Sequence, residues 1–400
     1  MPSMAAPASL GSLLRQPPYR RLWMARTVSQ WGDAFNTVAL ALLVYTLTGS
    51  GLGVSAVVVA EIIPVLALAP VAGALVDRLS RVPVMIVADL ARAILAFALP
   101  FVDAQLFAVY AVAFGLSTAG VFFNPAAQSV LPSLVREREL VAANSGLWTA
   151  AVISQVVLAP LAGLVVAGFG FVWAFWINAA SYLVSAFALQ RLHLPAAPSA
   201  TGRASWCSDV RDGLRALAGQ RLMRALASAQ FFAALSAGAT GALLVVLARE
   251  HLGISAGGYG FLLGAIGVGA ATGPLVLARL TDNPRRPGYV FGPFILRGFV
   301  DAALATATGL VTAMVYGLGT STGAVTFNSL LQAETADRLR GRIFAGFDML
   351  WQAGRLLSLL LGGLLADTLG IRAVYYLGAA LLLVAAATGW RGLRVPHSNA

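Results

Sequence analysis

The chain has 400 residues, of which 59% are hydrophobic and 11% charged, and its formal net charge is +11. In soluble domains about a quarter of all residues are charged, so this composition excludes a water-soluble globular fold. The 27 basic residues are all arginine and are scattered between apolar runs, whereas a nucleic-acid-binding protein needs them clustered on one polar face.

Apolar runs of about 20 residues, the length that crosses a hydrocarbon layer as a helix, recur along the chain. The first six predicted helices lie near Leu22–Leu47, Leu52–Val76, Val82–Phe101, Leu106–Ser129, Ala142–Val166 and Phe169–Leu189. After a polar stretch, six more lie near Leu222–Leu247, Gly258–Leu280, Gly288–Thr308, Leu310–Leu331, Ile343–Leu365 and Ala373–Trp390. A transmembrane β-barrel is disfavoured, because its strands would alternate polar and apolar residues.

The sequence therefore predicts an all-α membrane fold with twelve transmembrane helices. We expect an N-terminal six-helix bundle at residues 1–192, a cytoplasmic linker at 193–221 and a C-terminal six-helix bundle at 222–400. The single cysteine, Cys207, rules out an internal disulfide and a multi-thiolate metal site.

The distribution of arginine predicts the orientation, because cytoplasmic loops near helix ends accumulate basic residues. With the N-terminus inside, 21 of the 27 arginines fall in cytoplasmic segments, and only Arg249 and Arg372 fall outside. The other four lie within predicted helices: Arg26, Arg92, Arg297 and Arg355. An even number of passes with both termini in the cytoplasm of a bacterium, crossing its inner membrane, is the expectation.

The two halves resemble each other in sequence. Three stretches recur in the same order: Gly53–Ala56 as Gly253–Ala256, Gly73–Val76 as Gly273–Val276, and Phe123-Asn124 with Gln128 as Phe327-Asn328 with Gln332. Because each half has six passes and begins inside, we expect parallel repeats related by an axis along the membrane normal, with a substrate path between them.

The loop after the second predicted helix runs from Gly73 to Arg81 and has the pattern G-x-L-x-D-R-x-x-R. With this motif and the six-plus-six repeat, the chain resembles the major facilitator superfamily over nearly its whole length. Further stretches are similar to the drug-exporting branch that contains macrolide-efflux and enterobactin-export proteins: Arg21-Leu22-Trp23, Ser29-Gln30-Trp31-Gly32-Asp33, Phe123-Asn124-Pro125-Ala126 and Arg340-Gly341-Arg342-Ile343-Phe344.

In the family, the aspartate of this motif latches the cytoplasmic side against helix eleven when the transporter opens outward. The resemblance implies that role for Asp77, within a gating motif that also includes Gly73, Arg78 and Arg81. The alternative is a solvated turn whose arginines only set the topology. The chain departs from the pattern of proton-linked exporters at Ala159, where the family has a glycine before Pro160, and it lacks their frequent arginine in helix four.

Acidic residues at membrane depth are costly and are candidates for function. Asp33 and Glu61 fit proton coupling best, because neither has an arginine one helical turn away. Two alternatives remain: Asp33 could be a structural carboxylate paired with Arg26, and Glu61 could pack at an outer vestibule.

Asp89 with Arg92 and Arg297 with Asp301 are spaced i, i+3 and i, i+4, so each pair can meet on one helix face. Mutual neutralisation is the role that this spacing favours. In the eleventh predicted helix, Asp348 is a further substrate or proton candidate, and Arg355, two turns away, could line a cavity and hold an anionic group.

The leading hypothesis is a proton-coupled exporter of amphipathic small molecules, of drug or siderophore type, that works by alternating access as a monomer. We expect a small-molecule substrate, contact with the lipid bilayer, no nucleic-acid partner and no cofactor besides the proton gradient. An importer or facilitator of a polar metabolite, and a non-transporting sensor or assembly partner, are the alternatives. An enzyme is disfavoured, because the three histidines lie in loops or the tail and no nucleophile–base set is apparent.

Overall fold

The computed structural model describes residues 10–76, 79–192, 221–283, 285–306, 309–335 and 340–393. In these residues all regular structure is helical. A short helix, Leu10–Leu14, precedes the long ones. The long helices of the first half are α1 Pro17–Thr48, α2 Gly51–Val76, α3 Arg81–Ala98, α4 Leu106–Leu134, α5 in two segments, Leu140–Ile153 and Ala159–Phe169, and α6 Phe171–Gln190. Those of the second half are α7 Arg221–Ala242, α8 Ala256–Leu280, α9 Pro287–Leu304, α10 Leu310–Glu334, α11 Arg340–Leu369 and α12 Ile371–Leu393.

The prediction of an all-helical membrane fold is confirmed. Nine helices in the described part of the chain are long and apolar enough to cross a membrane, and a tenth joins them if the bent pair Arg221–Ala242 and Leu244–His251 is one span. The two remaining long helices, α1 and α9, do not meet that criterion, and each carries charged residues within its length. The count of twelve spans therefore stays a prediction.

Two helices depart from the predicted course at positions next to glycine or proline residues. The seventh helix was expected to run straight to Leu247, but it ends at Ala242 and bends by 45° before Leu244–His251. Glycine weakens a helix and allows such a bend, and Gly238 and Gly241 lie just before it. In α5, a π-helical turn at Ser154–Leu158 precedes Pro160, whose ring nitrogen has no hydrogen to donate.

The described chain divides into two compact units. The first contains residues 1–43 and 60–202, and the second contains residues 44–59 and 203–400. The turn between α1 and α2 thus groups with the second unit, although the sequence placed it in the N-terminal bundle. Most of the predicted linker, residues 193–220 with Cys207, lies outside the described residues.

The two units share a packing pattern. In the first unit α3 packs against α4 and α6, and in the second α9 packs against α10 and α12. Each unit has its own apolar core, built around Tyr19, Met85 and Phe123 in the first and around Phe291, Phe327 and Phe347 in the second. This correspondence agrees with the sequence repeat.

Glycines let α8 and α10 approach at backbone distance. A Cβ at Gly269 would lie 1.8 Å from the carbonyl oxygen of Met314, and one at Gly317 would lie 1.9 Å from that of Ile266. At Gly273, the second copy of the motif glycine, a Cβ would lie 2.1 Å from Ser321 Oγ. Lipid is as apolar as a leucine side chain, so the hydrophobic effect does not drive membrane helices together. Close van der Waals contacts such as these stabilise the helix pair instead.

We predict that Gly269→Ala destabilises the protein by roughly 1–3 kcal/mol, the usual cost of overpacking, because the added methyl group collides with backbone atoms. Gly292→Ala in α9 is the matched control, since a Cβ there meets nothing within 4 Å. The melting midpoints of the two purified variants check the prediction. Equal midpoints would contradict the close approach of α8 and α10.

Candidate functional site

A polar cavity of about 520 Å³ opens inside the first unit. Helices α1, α2, α3, α4 and α6 line it, and its chemistry comes from two carboxylates, one guanidinium and several amide and hydroxyl groups. The polar lining consists of Asp33, Asn36, Thr37, Glu61, Arg92, Ser117, Asn124, Gln128 and Tyr182. Both carboxylates that the sequence analysis favoured for proton coupling therefore face one space.

The centre of the polar cavity is a network that joins three helices. Tyr182 Oη on α6 donates a hydrogen bond of 2.5 Å to Asp33 Oδ1 on α1. The guanidinium of Arg92 on α3 lies 4.4 Å from the centre of the Tyr182 ring and forms an ion pair with Asp89. Asp33 is thus hydrogen-bonded to a tyrosine, and among the described residues it forms no ion pair with Arg26.

The Asp89–Arg92 pair is fixed from several sides. Asp89 has an exposed fraction of 0% and accepts a hydrogen bond of 2.6 Å from Ser185 Oγ. The Arg92 guanidinium also lies 4.4 Å from the centre of the Phe123 ring. A buried charge is tolerated only when it is paired and hydrogen-bonded, and this pair meets that condition.

Asn36 at the polar cavity retains hydrogen-bonding capacity. Asn36 is buried, and its Oδ1 atom has no hydrogen-bond partner in the described part of the chain. Glu61 lies in α2, and its backbone carbonyl accepts a bond of 2.5 Å from Ser117 Oγ. A buried acceptor without a partner is costly unless water or a ligand reaches it, so the cavity is equipped to bind polar groups.

An aromatic cavity of about 380 Å³ occupies the second unit. Five aromatic side chains contribute to its apolar wall: Phe294, Phe327, Phe344, Phe347 and Trp351. The Phe327 ring packs edge to face against two neighbours, with ring centres 6.4 Å from Phe294 and 5.8 Å from Phe347. The polar lining consists of Gln230, Arg297, Thr320, Asn328 and Asp348.

Arg297 in the aromatic cavity repeats the arrangement of Arg92. It forms an ion pair of 3.4 Å with Asp301, which is fully buried, and it lies 3.5 Å from the centre of the Tyr316 ring. The Thr320 hydroxyl accepts a further hydrogen bond from the guanidinium. Gly319 leaves room for the arginine stem, because a Cβ there would lie 2.9 Å from Arg297 Cγ.

Asp348 and Arg355 lie on α11 in different surroundings. Asp348 is exposed toward the aromatic cavity, and it has no hydrogen bond or ion pair with any described residue. Arg355 is half-buried and lines neither cavity. The structure therefore brings Asp348, but not Arg355, to the wall of a binding-sized space.

The structure describes two of the four residues of the gating motif, Gly73 and Arg81. Gly73 lies in α2, whereas Asp77 and Arg78 lie outside the described residues. Arg81 begins α3 and donates a hydrogen bond of 3.1 Å to the backbone carbonyl of Ser129 on α4. This bond ties the start of α3 to the end of α4.

Sequence reasoning missed the tyrosines and most of the aromatic wall. Tyr182 is 149 positions from Asp33, and Tyr316 is 19 positions from Arg297, so no spacing rule within one helix links them. A signal did exist for the second unit, because Phe327 and Asn328 repeat Phe123 and Asn124. Asn124 and Asn328 each line the cavity of their own unit.

We predict strong coupling between Arg297 and Asp301. Removing one partner of a buried pair typically costs roughly 3–5 kcal/mol, because the other charge is left uncompensated. The double variant Arg297→Met/Asp301→Asn is therefore expected to melt at a higher temperature than at least one of the single variants. Melting midpoints of the four proteins check this, and strictly additive losses would show that the two side chains stabilise the fold independently.

Comparisons with known proteins agree with this architecture. The family described as transmembrane secretion effector matches residues 8–400. The multidrug efflux pump Tap of Mycolicibacterium fortuitum is 27% identical over 383 residues, which cover 90% of this chain and 92% of Tap. The Tap protein of Mycobacterium tuberculosis (strain CDC 1551 / Oshkosh) is 29% identical over 385 residues, covering 91% and 90% of the two chains.

Among solved structures, the nucleoside transporter NupG superposes with a TM-score of 0.78 at 14% identity, covering 94% of this chain and 99% of NupG. That likeness concerns the fold alone. The family match extends over nearly the whole chain, and these relatives are transporters of the major facilitator type. The protein is thus a multi-pass membrane transporter that belongs to the transmembrane secretion effector family of the major facilitator superfamily.

Proposed function

We propose that the protein exports amphipathic small molecules by proton antiport, with alternating access between its two halves. The polar cavity of the first unit binds the proton, and the aromatic cavity of the second unit binds the apolar part of the substrate. The observation that carries this proposal is the chemical difference between two cavities at corresponding places of a repeated fold. The name of Tap, a multidrug efflux pump, supports the direction of transport.

The difference can be stated residue by residue. At the spacing of 200 that relates Gly53 to Gly253, Asp33 corresponds to Ala233 and Tyr182 to Leu382. Both members of each pair line the cavity of their own unit. At these two positions the second unit thus has an apolar residue where the first unit has a hydrogen-bonded polar one.

Charge balance supports Asp33 as the proton site of this proposal. In the first unit two aspartates, Asp33 and Asp89, surround the single guanidinium of Arg92. Arg92 can neutralise one carboxylate, and its direct ion pair is with Asp89. The second carboxylate has a hydrogen bond but no full counter-charge, and a low-dielectric site favours binding a proton there. Glu61, across the same cavity, is a second group that can take up the proton when a substrate enters.

The aromatic cavity fits the substrate side of this scheme. Aromatic faces bind flat apolar groups and attract cations. Asp348 adds one carboxylate that no described residue neutralises. A flat amphipath with one positive charge matches both features.

The proposal includes the setting of the molecule. The protein works as a monomer in the bacterial inner membrane with both termini in the cytoplasm, uses no cofactor besides the proton gradient and binds no nucleic acid. The excess of arginine in the segments assigned to the cytoplasm supports this orientation.

We predict that Asp33→Asn abolishes gradient-driven export. Purified protein is placed in vesicles, a pH gradient is imposed, and movement of a lipophilic cation dye is followed by fluorescence. The variant is expected to lose at least about 90% of the gradient-dependent rate, because an amide cannot bind and release a proton. Glu61→Gln should lower the rate as well, and Asp282→Asn, the same change in an exposed loop, is the control.

The outcomes distinguish the alternatives. Full gradient dependence in both variants removes these carboxylates from the mechanism. If the wild type moves no dye in response to the gradient, multidrug export is overturned. Uptake of a polar metabolite is then the hypothesis to test, because the Oδ1 atom of Asn36 in the polar cavity has no hydrogen-bond partner among the described residues. Absence of all transport would leave a sensor or assembly role.

We predict that Asp348→Asn raises the KM for a cationic dye about tenfold, equivalent to about 1.4 kcal/mol, and leaves the KM for an uncharged analogue unchanged. Phe327→Ala should raise both, because it removes ring contacts and not charge. Initial export rates over a range of dye concentrations give both constants. Equal effects of Asp348→Asn on the two substrates would contradict a charge contact.

A further inference from the structure

The turn between α1 and α2 is bound by one side chain of α11. Asp367, near the end of α11, accepts three hydrogen bonds there. Its Oδ1 atom accepts one of 2.6 Å from the backbone nitrogen of Gly51, and its Oδ2 atom accepts one of 2.6 Å from Ser50 Oγ and one of 3.3 Å from the backbone nitrogen of Leu52. All of these residues belong to the second compact unit.

These bonds make Asp367 an N-terminal cap supplied by another helix. The first amides of a helix have no partner within it, and they form its electropositive end. A carboxylate placed there forms charge-assisted hydrogen bonds, which are about twice as strong as neutral ones. The start of α2 is therefore stabilised by α11 and not only by its own Ser50.

The backbones around this cap are in direct contact. A Cβ at Gly51 would lie 2.7 Å from that of Ala366, and a Cβ at Gly363 would lie 2.8 Å from both Leu52 Cα and Ser55 Oγ. Ser55 has an exposed fraction of 0%. The contact is thus closed, and residues larger than glycine at positions 51 and 363 do not fit.

The second copy of the repeat lacks this arrangement. Gly170 corresponds to Gly370 at a spacing of 200, so Ala167 stands where the second half has Asp367. The start of α8 is instead capped by its own Ser255, whose Oγ accepts a bond of 3.2 Å from the backbone nitrogen of Gly258. A cap from another helix is therefore not needed to begin such a helix.

We propose that Asp367 is the outer latch of the transport cycle, a residue whose bonds to the start of α2 hold the outer end of the pathway closed and must break when it opens. This inference rests on the proposed function, because a latch has a use only if the two halves alternate. Because α1 and α2 continue from this turn into the first unit, release of the turn frees the outer ends of both helices. A second bond at this end, of 3.3 Å from Tyr45 Oη to Glu250 Oε1, assists the latch.

The test measures access to Ser55. In a Cys207→Ser background, which removes the single native cysteine, Ser55→Cys is labelled with a polar maleimide in nanodiscs, where both faces are reachable. Asp367→Asn is expected to raise the labelling rate about tenfold. Thr368→Val, at the neighbouring residue, whose hydroxyl donates to the carbonyl of Leu364 within α11, should leave the rate unchanged.

Ser154→Cys in α5 reports general loosening, because Ser154 is buried in the first unit. A rise at position 55 alone supports the latch. No rise at position 55, or equal rises at positions 55 and 154, overturns it. The assay needs neither substrate nor gradient, so the two failures are distinguishable. If the wild type transports dye and Asp367→Asn does not raise labelling at position 55, the latch is refuted and the proposed function stands. If the wild type transports nothing, the proposed function is refuted, and the role of Asp367 in a transport cycle is refuted with it, whatever the labelling at position 55.

Discussion

A charge inside a membrane bundle must be paired, since several kilocalories per mole are lost otherwise, and the two buried arginines meet this constraint in the same way. Arg92 and Arg297 each pair with an aspartate on their own helix and stack on a tyrosine from another helix. Each pair therefore fixes the contact of its helix with its neighbours. The cavities of the two units form beside these pairs.

From this shared arrangement the units diverge in what faces the cavity. The first adds a second carboxylate, hydrogen-bonded through Tyr182, and so has more negative than positive groups around one guanidinium. The second keeps one aspartate for its arginine and fills the corresponding positions with alanine and leucine. Four phenylalanine rings and Trp351 form part of the wall of its cavity. A repeated scaffold has thus given one cavity with two carboxylates and one with five aromatic side chains.

Much of the fold could be predicted because hydropathy acts locally. Each predicted helix has a corresponding helix in the structure. The spacing of Asp89 with Arg92 and of Arg297 with Asp301 predicted two ion pairs, and the structure contains both. Contacts between helices were beyond such rules. The partner of Asp33 is on α6, the bend after α7 depends on backbone geometry, and the aromatic wall combines residues from α9, α10 and α11. A single sequence gives the face of each helix only when its pattern is strongly one-sided, and membrane helices are apolar all round.

Two carboxylates, Asp33 and Asp367, each occur in only one of the two sequence repeats, and this difference indicates what they do. A cap or an ion pair that serves only to stabilise a helix is equally useful in both copies, as the paired arginines illustrate. Asp33 and Asp367 occur in one copy each, and alanine replaces both at the corresponding positions, Ala233 and Ala167. Both repeats nevertheless fold with similar packing around α3 and α9. The fold therefore tolerates alanine at these places, and the retention of two exposed or half-buried carboxylates is better explained by steps of a transport cycle than by stability.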